Sequence, residues 1–180
     1  MNAHTPFEVT ARIPGGYCTT IDAWRGRCLN LFSAVEQEVT RTLIVARENG
    51  REVAIPQTPG LRIQNVAKLV AAEKFTSNQR KQMEATLLAW HAFDDERNFL
   101  AHGTRQCLTD QTGSWHVRFD IELHDKCAMP PQRIFSSQEA ADLEQEVNGA
   151  SVRLRTQLRQ FQSRMSMKEA AVRATTTETA

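Results

Sequence analysis

The chain has 180 residues, 22 Lys+Arg against 21 Asp+Glu, and a formal net charge of +1. That length suits a single domain with a proper hydrophobic core. The balanced charge excludes a whole-protein field drawing the chain to nucleic acid or an anionic membrane, so any polyanion site must be local. No apolar run approaches the roughly 18 residues that a membrane helix needs. The opening "MNAHTPFEVTARIPGG" lacks the basic start and apolar core of a signal peptide, and a cytoplasmic location without membrane attachment is expected. Cys18, Cys28, Cys107 and Cys127 form no C-x-x-C pair and no zinc spacing with the histidines. Reduced and mostly buried thiols are expected, with no metal and no cofactor.

In chain order, residues 1–18 mix Pro, Gly and Thr without periodicity and read as an arm. From Thr20, the residues Ile21, Trp24, Cys28, Leu31, Phe32, Val35, Val39, Leu43 and Ala46 recur at helical spacing, with Gly50 as a stop. "REVAIPQTPG" is a loop broken by its prolines. "LRIQNVAKLVAAEK" predicts a short helix with Leu61, Val66, Leu69 and Val70 inward. Thr76 and Gln79 have the form of a capping box and open a third helix. That helix is expected to run through Met83, Leu87, Trp90, Phe93 and Leu100 to Gly103.

The period then switches to two. "WHVRFDIEL" puts Trp115, Val117, Phe119, Ile121 and Leu123 on one face and predicts a two-stranded β-hairpin over about 104–123. After Pro130-Pro131, Ser136 and Glu139 form a second capping box ahead of a helix from about residue 137 towards 168. Residues 19–170 form the expected single domain, and 171–180 a flexible tail.

The stretch "DDERNFLAHG", residues 94–103, gathers titratable groups late in the third helix. With Met83 at 0° on one continuous helix, Asp94 falls at about 20°, Asn98 about 60°, His91 about 80°, His102 about 100° and Asp95 about 120°. Asp94, Asn98 and His102 stack at i, i+4, i+8. Arg97 lies about 140° from His102 on the same helix.

"RNFLAHG" resembles the R-[polar]-x3-5-H motif of the HEPN superfamily, with Arg97 matching the motif arginine, Asn98 the polar residue after it and His102 the motif histidine. Asp94, Asp95 and Glu96 precede it as supporting acidic residues. Two departures stand out. Thr104 occupies the position two beyond the histidine, where several toxin members carry tyrosine, and the hairpin is an addition to the bare helical fold.

The resemblance implies a mainly α fold: a HEPN-like bundle of about four helices with a β-hairpin inserted before the last. It implies metal-independent RNA cleavage, possible in a toxin–antitoxin or phage-defence setting, and a homodimer with the motif helices juxtaposed. RNA and a cognate antitoxin are the further partners that such a setting implies. In that chemistry an imidazole takes the proton of a ribose 2′-OH, and a guanidinium suits the charge on a pentacoordinate phosphorus. Two other readings stay open: a HEPN-like module binding RNA, a nucleotide or a protein without cleavage, and a structural dimerisation domain whose Arg97 and His102 brace a helix end. Of the remaining polar residues, His116 is expected on an exposed face and Arg153, Arg155 and Arg159 on a solvated one.

Overall fold

The computed structural model describes residues 15–73, 75–121 and 132–177, with side chains from residue 16 to residue 167. Helix predominates among them. In order the elements are α1 (Gly15–Glu48), α2 (Pro59–Ala72), α3 (Ser77–His91), α4 (Asp94–His102), β1 (Thr104–Thr109), β2 (Trp115–Asp120), β3 (Gln132–Ser136) and α5 (Ser137–Thr177).

Two compact units emerge. The first comprises residues up to Leu31 with Phe93–Asn148; the second comprises Phe32–Ala92 with the residues from Gly149 onward. Helices α1 and α5 contribute residues to both.

In the first unit the three strands form an antiparallel sheet in the order β1-β2-β3. Cys107 pairs with Val117, Arg105 with Phe119, and Val117 with Phe135. The expected hairpin is thus extended by a third strand. Leu123, Cys127 and the Pro130-Pro131 break lie outside the described residues. The alternation in β2 holds where it matters, since Val117 and Phe119 are fully buried.

Between β1 and β2, Asp110 organises the turn. Its Oδ1 accepts from the backbone N–H of Thr112 and of Ser114, each at 2.9 Å, and Gly113 adopts a left-handed φ of 82°. Trp24 centres the core of this unit. Its ring centroid lies 6.4 Å from Trp115, 6.3 Å from Phe119 and 5.5 Å from Phe135, and its indole N–H donates to the Ala140 carbonyl at 2.7 Å. A buried indole with its polar edge satisfied adds area without leaving an unpaired donor.

In the second unit Phe32 meets Trp90 at 5.3 Å, and Phe75 meets Phe161 at 5.2 Å. Val35, Val39, Leu43, Val66, Val70, Met83, Leu87, Leu154 and Leu158 are buried around them. A polar group sits inside this core. Glu38 accepts from Arg159 at 2.8 Å and from Gln162 at 2.9 Å, and Gln162 also donates to Thr42 at 2.9 Å. Arg159 is 60% exposed, as expected of a solvated face, and its guanidinium also forms an ion pair with the buried Glu38.

Several boundaries differ from those read in the sequence. α1 begins at Gly15, so residues 15–18 are helical; Tyr17 donates to the Gly113 carbonyl at 2.9 Å, a tertiary contact that offsets the poor helix propensity of Gly15-Gly16. In α2 the inward residue of the first turn is Ile63, while Leu61 is exposed. α5 continues to Thr177, beyond the end expected near 168. Both capping boxes form as expected, at Thr76/Gln79 and at Ser136/Glu139.

The largest correction concerns the third helix. It is two helices, interrupted at Ala92–Phe93, with α4 starting afresh where the Arg97 N–H bonds the Phe93 carbonyl at 2.9 Å. Asp94, Asp95 and Glu96 occupy the first turn of α4, where carboxylates complement the positive end of the helix dipole.

Candidate functional site at the end of α4

The break resets the helical phase, so the arc that included His91 does not hold: His91 ends α3 and the motif residues lie on α4. Within α4 the i, i+4 relation is intact. Asn98 lies one turn before His102 at an offset of about 40°, and Asp95 lies two turns before it at about 20°. Asp94 is stacked with Asn98, while Arg97 points about 140° away from His102. Asp94, Asp95 and His102 are exposed; Glu96, Arg97 and Asn98 are half-buried.

Two buried side chains hold the helix in place. Phe99 and Leu100 are buried, anchoring a nine-residue segment that would be marginal alone. The last carbonyls of α4 receive a cation that sequence reading missed. Arg25 of α1 donates from Nε to the Leu100 carbonyl at 2.6 Å, and its Nη2 reaches the Ala101 and Gly103 carbonyls at 3.5 and 3.4 Å. Its guanidinium also stands 5.3 Å from the Phe119 ring centroid. A cation at a helix C-terminus satisfies orphan carbonyls and the negative end of the dipole together. No short-range signal in the sequence links residue 25 to residue 100.

Gly103 has a different reason from the one its position suggests. It is not a left-handed cap, since its φ is −68° and its ψ 135°. A Cβ placed there would stand 2.5 Å from the Phe99 carbonyl oxygen and 2.9 Å from the Phe119 Cβ. Only glycine lets β2 approach the end of α4 this closely. The chain passes from His102 into β1 within two residues, so the exposed imidazole is carried between a clamped helix end and a sheet.

His116 is not the exposed residue that its place on β2 suggested. Its Nε2 lies 3.0 Å from Asp110 Oδ2, and its side chain is 14% exposed. Hydrogen bonds from Thr112, then from His116, hold the Asp110 carboxyl well below the usual carboxylate range, with the Ser114 and Thr112 N–H groups adding to them.

Among the described residues no three His, Cys, Asp or Glu side chains are gathered closely enough to hold a metal ion, and no helix is long and apolar enough to cross a membrane. Comparison with family models, curated proteins and solved structures finds no match to this chain.

Proposed function

We propose that the chain is a HEPN-type endoribonuclease that cleaves RNA through the 2′-hydroxyl, with Arg97, Asn98 and His102 as its working residues. The observation that carries this reading is the exposed His102, one turn beyond Asn98, on the clamped end of a helix that also bears Arg97. His102 takes the 2′-OH proton as general base, and the oxygen attacks the adjacent phosphorus. The 5′-oxygen leaves and is protonated, giving a 2′,3′-cyclic phosphate and a 5′-hydroxyl end. Arg97 stabilises the added charge on the phosphorane, and Asn98 orients the imidazole or bonds a phosphate oxygen. Asp94, Asp95 and Glu96 support the start of the helix.

A homodimer fits the geometry of α4. Arg97 and His102 diverge by about 140° on one helix, so Arg97 of one protomer complements His102 of its partner across a shared groove. Two copies also bring a second Arg97 guanidinium to the groove, alongside the Asp94, Asp95 and Glu96 carboxylates of each helix. A toxin–antitoxin or phage-defence role in the cytoplasm, with a cognate antitoxin, is the setting this activity suggests. The near-neutral total charge favours, as a second reading, a module that binds RNA, a nucleotide or a protein without cleaving it.

The test is cleavage of single-stranded RNA in the presence of EDTA. Products should carry 2′,3′-cyclic phosphate ends, and a 2′-deoxy substitution at the scissile position should block the reaction. His102→Ala should lower the rate by roughly 10²-fold or more. Arg97→Lys should also be damaging, because a point charge does not reproduce the guanidinium fork. Activity that survives His102→Ala unchanged refutes the reading. RNA binding without cleavage on every substrate moves the assignment to the second one.

A further inference from the structure

Cys18 in the first turns of α1 and Cys107 in β1 are 89 positions apart in the chain, yet their sulfurs stand 3.0 Å from each other. That is about 1 Å more than a disulfide bond length. Both are free thiols, and their access differs: Cys107 is buried and Cys18 is half-exposed. A third group completes the cluster. Arg105 approaches the Cys107 sulfur with Nη1 at 3.1 Å. Its Nε and Nη2 are meanwhile held by the two oxygens of Asp22 at 2.6 and 2.7 Å. A bidentate carboxylate therefore fixes the guanidinium plane and aims its remaining nitrogen at sulfur.

We propose that Cys18 and Cys107 form a peroxide-sensitive thiol pair that closes reversibly to a disulfide. The accessible Cys18 sulfur attacks one oxygen of hydrogen peroxide and the O–O bond breaks. Cys18 becomes a sulfenic acid, and the departing hydroxide leaves as water with the thiol proton. The Cys107 sulfur then attacks the Cys18 sulfur, the S–O bond breaks, and the hydroxyl leaves as a second water with the Cys107 proton. In sum two thiols give up two electrons and two protons, and one peroxide becomes two waters. A thiol reductant reverses the bond by exchange.

The surroundings order the two steps. Burial pushes the Cys107 thiol up to about 11, and the neighbouring Cys18 adds to this, while Arg105 opposes it. Oxidation of Cys18 removes one upward influence and leaves the guanidinium facing Cys107, which favours the nucleophile needed for closure. Cys28 is a built-in control, fully buried and with its thiol pushed up to about 12 by that burial. The new bond would fasten the start of α1 to the strand that follows His102. The inference is independent of what His102 does.

The experiment treats the full-length protein with a small excess of hydrogen peroxide and analyses alkylated, unreduced peptides by mass spectrometry. The expected product is about 2 Da lighter, carries a Cys18–Cys107 cross-linked peptide, and returns to starting mass with dithiothreitol. Its melting temperature should rise by roughly 5–15 °C, as a bond closing so long a loop predicts. Cys28→Ser should close as the parent does, Arg105→Gln should close several-fold more slowly, and Cys18→Ser should not form the cross-link. Oxidation of Cys18 to sulfinic acid with Cys107 still alkylatable overturns the proposal. So does a cross-link joining Cys107 to Cys127.

Discussion

Arg25 and Leu100 are joined by a 2.6 Å hydrogen bond from guanidinium to carbonyl, and this bond fastens the end of α4 from a helix 75 positions earlier in the chain. Arg25→Ala removes the bond and leaves the last carbonyls of α4 without their cation. The expected loss is about 1–3 kcal/mol in urea unfolding, with faster amide exchange in α4 than elsewhere. Arg25→Lys should recover only part, because an ammonium cannot spread over three carbonyls and a ring as the planar fork does. Equal stability of Arg25→Ala and the parent would remove the clamp from this account.

Gly103→Ala tests the close approach of β2 to α4. The added methyl would meet backbone oxygen and a Cβ, neither of which swings aside as a flexible side-chain end does. A destabilisation of about 1–3 kcal/mol is expected, read from the denaturation midpoint. Neutral behaviour would show that the junction yields easily.

His102→Ala should behave oppositely. The side chain is exposed, so stability should stay within about 0.5 kcal/mol of the parent. Any loss of RNA cleavage in this variant then reports chemistry and not unfolding. A large drop in melting temperature would assign His102 a bracing role instead.

The pH dependence of stability should have an acidic edge set by Asp110. Its carboxyl is held below its ordinary value of 3.8, first by the Thr112 and His116 hydrogen bonds. A depressed folded-state value means that the contribution is present above the unfolded value. It is lost as pH falls through the folded one. Glu139, held down chiefly by the Ser136 N–H, has the same sign. The urea midpoint should therefore fall as pH drops below about 4. Asp110→Asn should flatten that slope, and an identical slope in both proteins would contradict the assignment.

Glu38 lies in the second unit with three polar neighbours. Burial alone would push its carboxyl up, but hydrogen bonds from Gln162 and Arg159 turn the balance downward. Glu38→Ala leaves the buried Gln162 amide without one of its acceptors, and should cost about 2–4 kcal/mol by thermal or chemical unfolding. A cost below about 0.5 kcal/mol would mean that water or rearrangement satisfies the amide instead.

Much of the architecture was legible because it is local. The apolar period of α1, the capping boxes at Thr76 and Ser136 and the alternation through Val117 and Phe119 each depend on neighbours a few residues away. The break at Ala92–Phe93 escaped because neither residue is a helix breaker. The signal that marked it was the acidic run Asp94-Asp95-Glu96, which belongs to a helix start. β3 escaped because "QRIFS" is short and offers only two apolar residues. At the candidate site the sequence offered Arg97, Asn98 and His102 as candidates but gave no sign of what holds their helix in place. Arg25 and the Cys18–Cys107 pairing depend on chain segments 75 and 89 positions apart, which no periodicity encodes.

The placement of the aromatic residues also gives each compact unit its own optical reporter. The chain has three tryptophans. Trp24 and Trp115 neighbour each other in the first unit, and Trp90 lies against Phe32 in the second. Replacing Trp24 and Trp115 by Phe leaves an emission spectrum that follows the second unit alone, and replacing Trp90 leaves one that follows the first. Fluorescence melts of the two variants therefore decide whether the units lose their structure in one concerted transition or in sequence, without any attached dye.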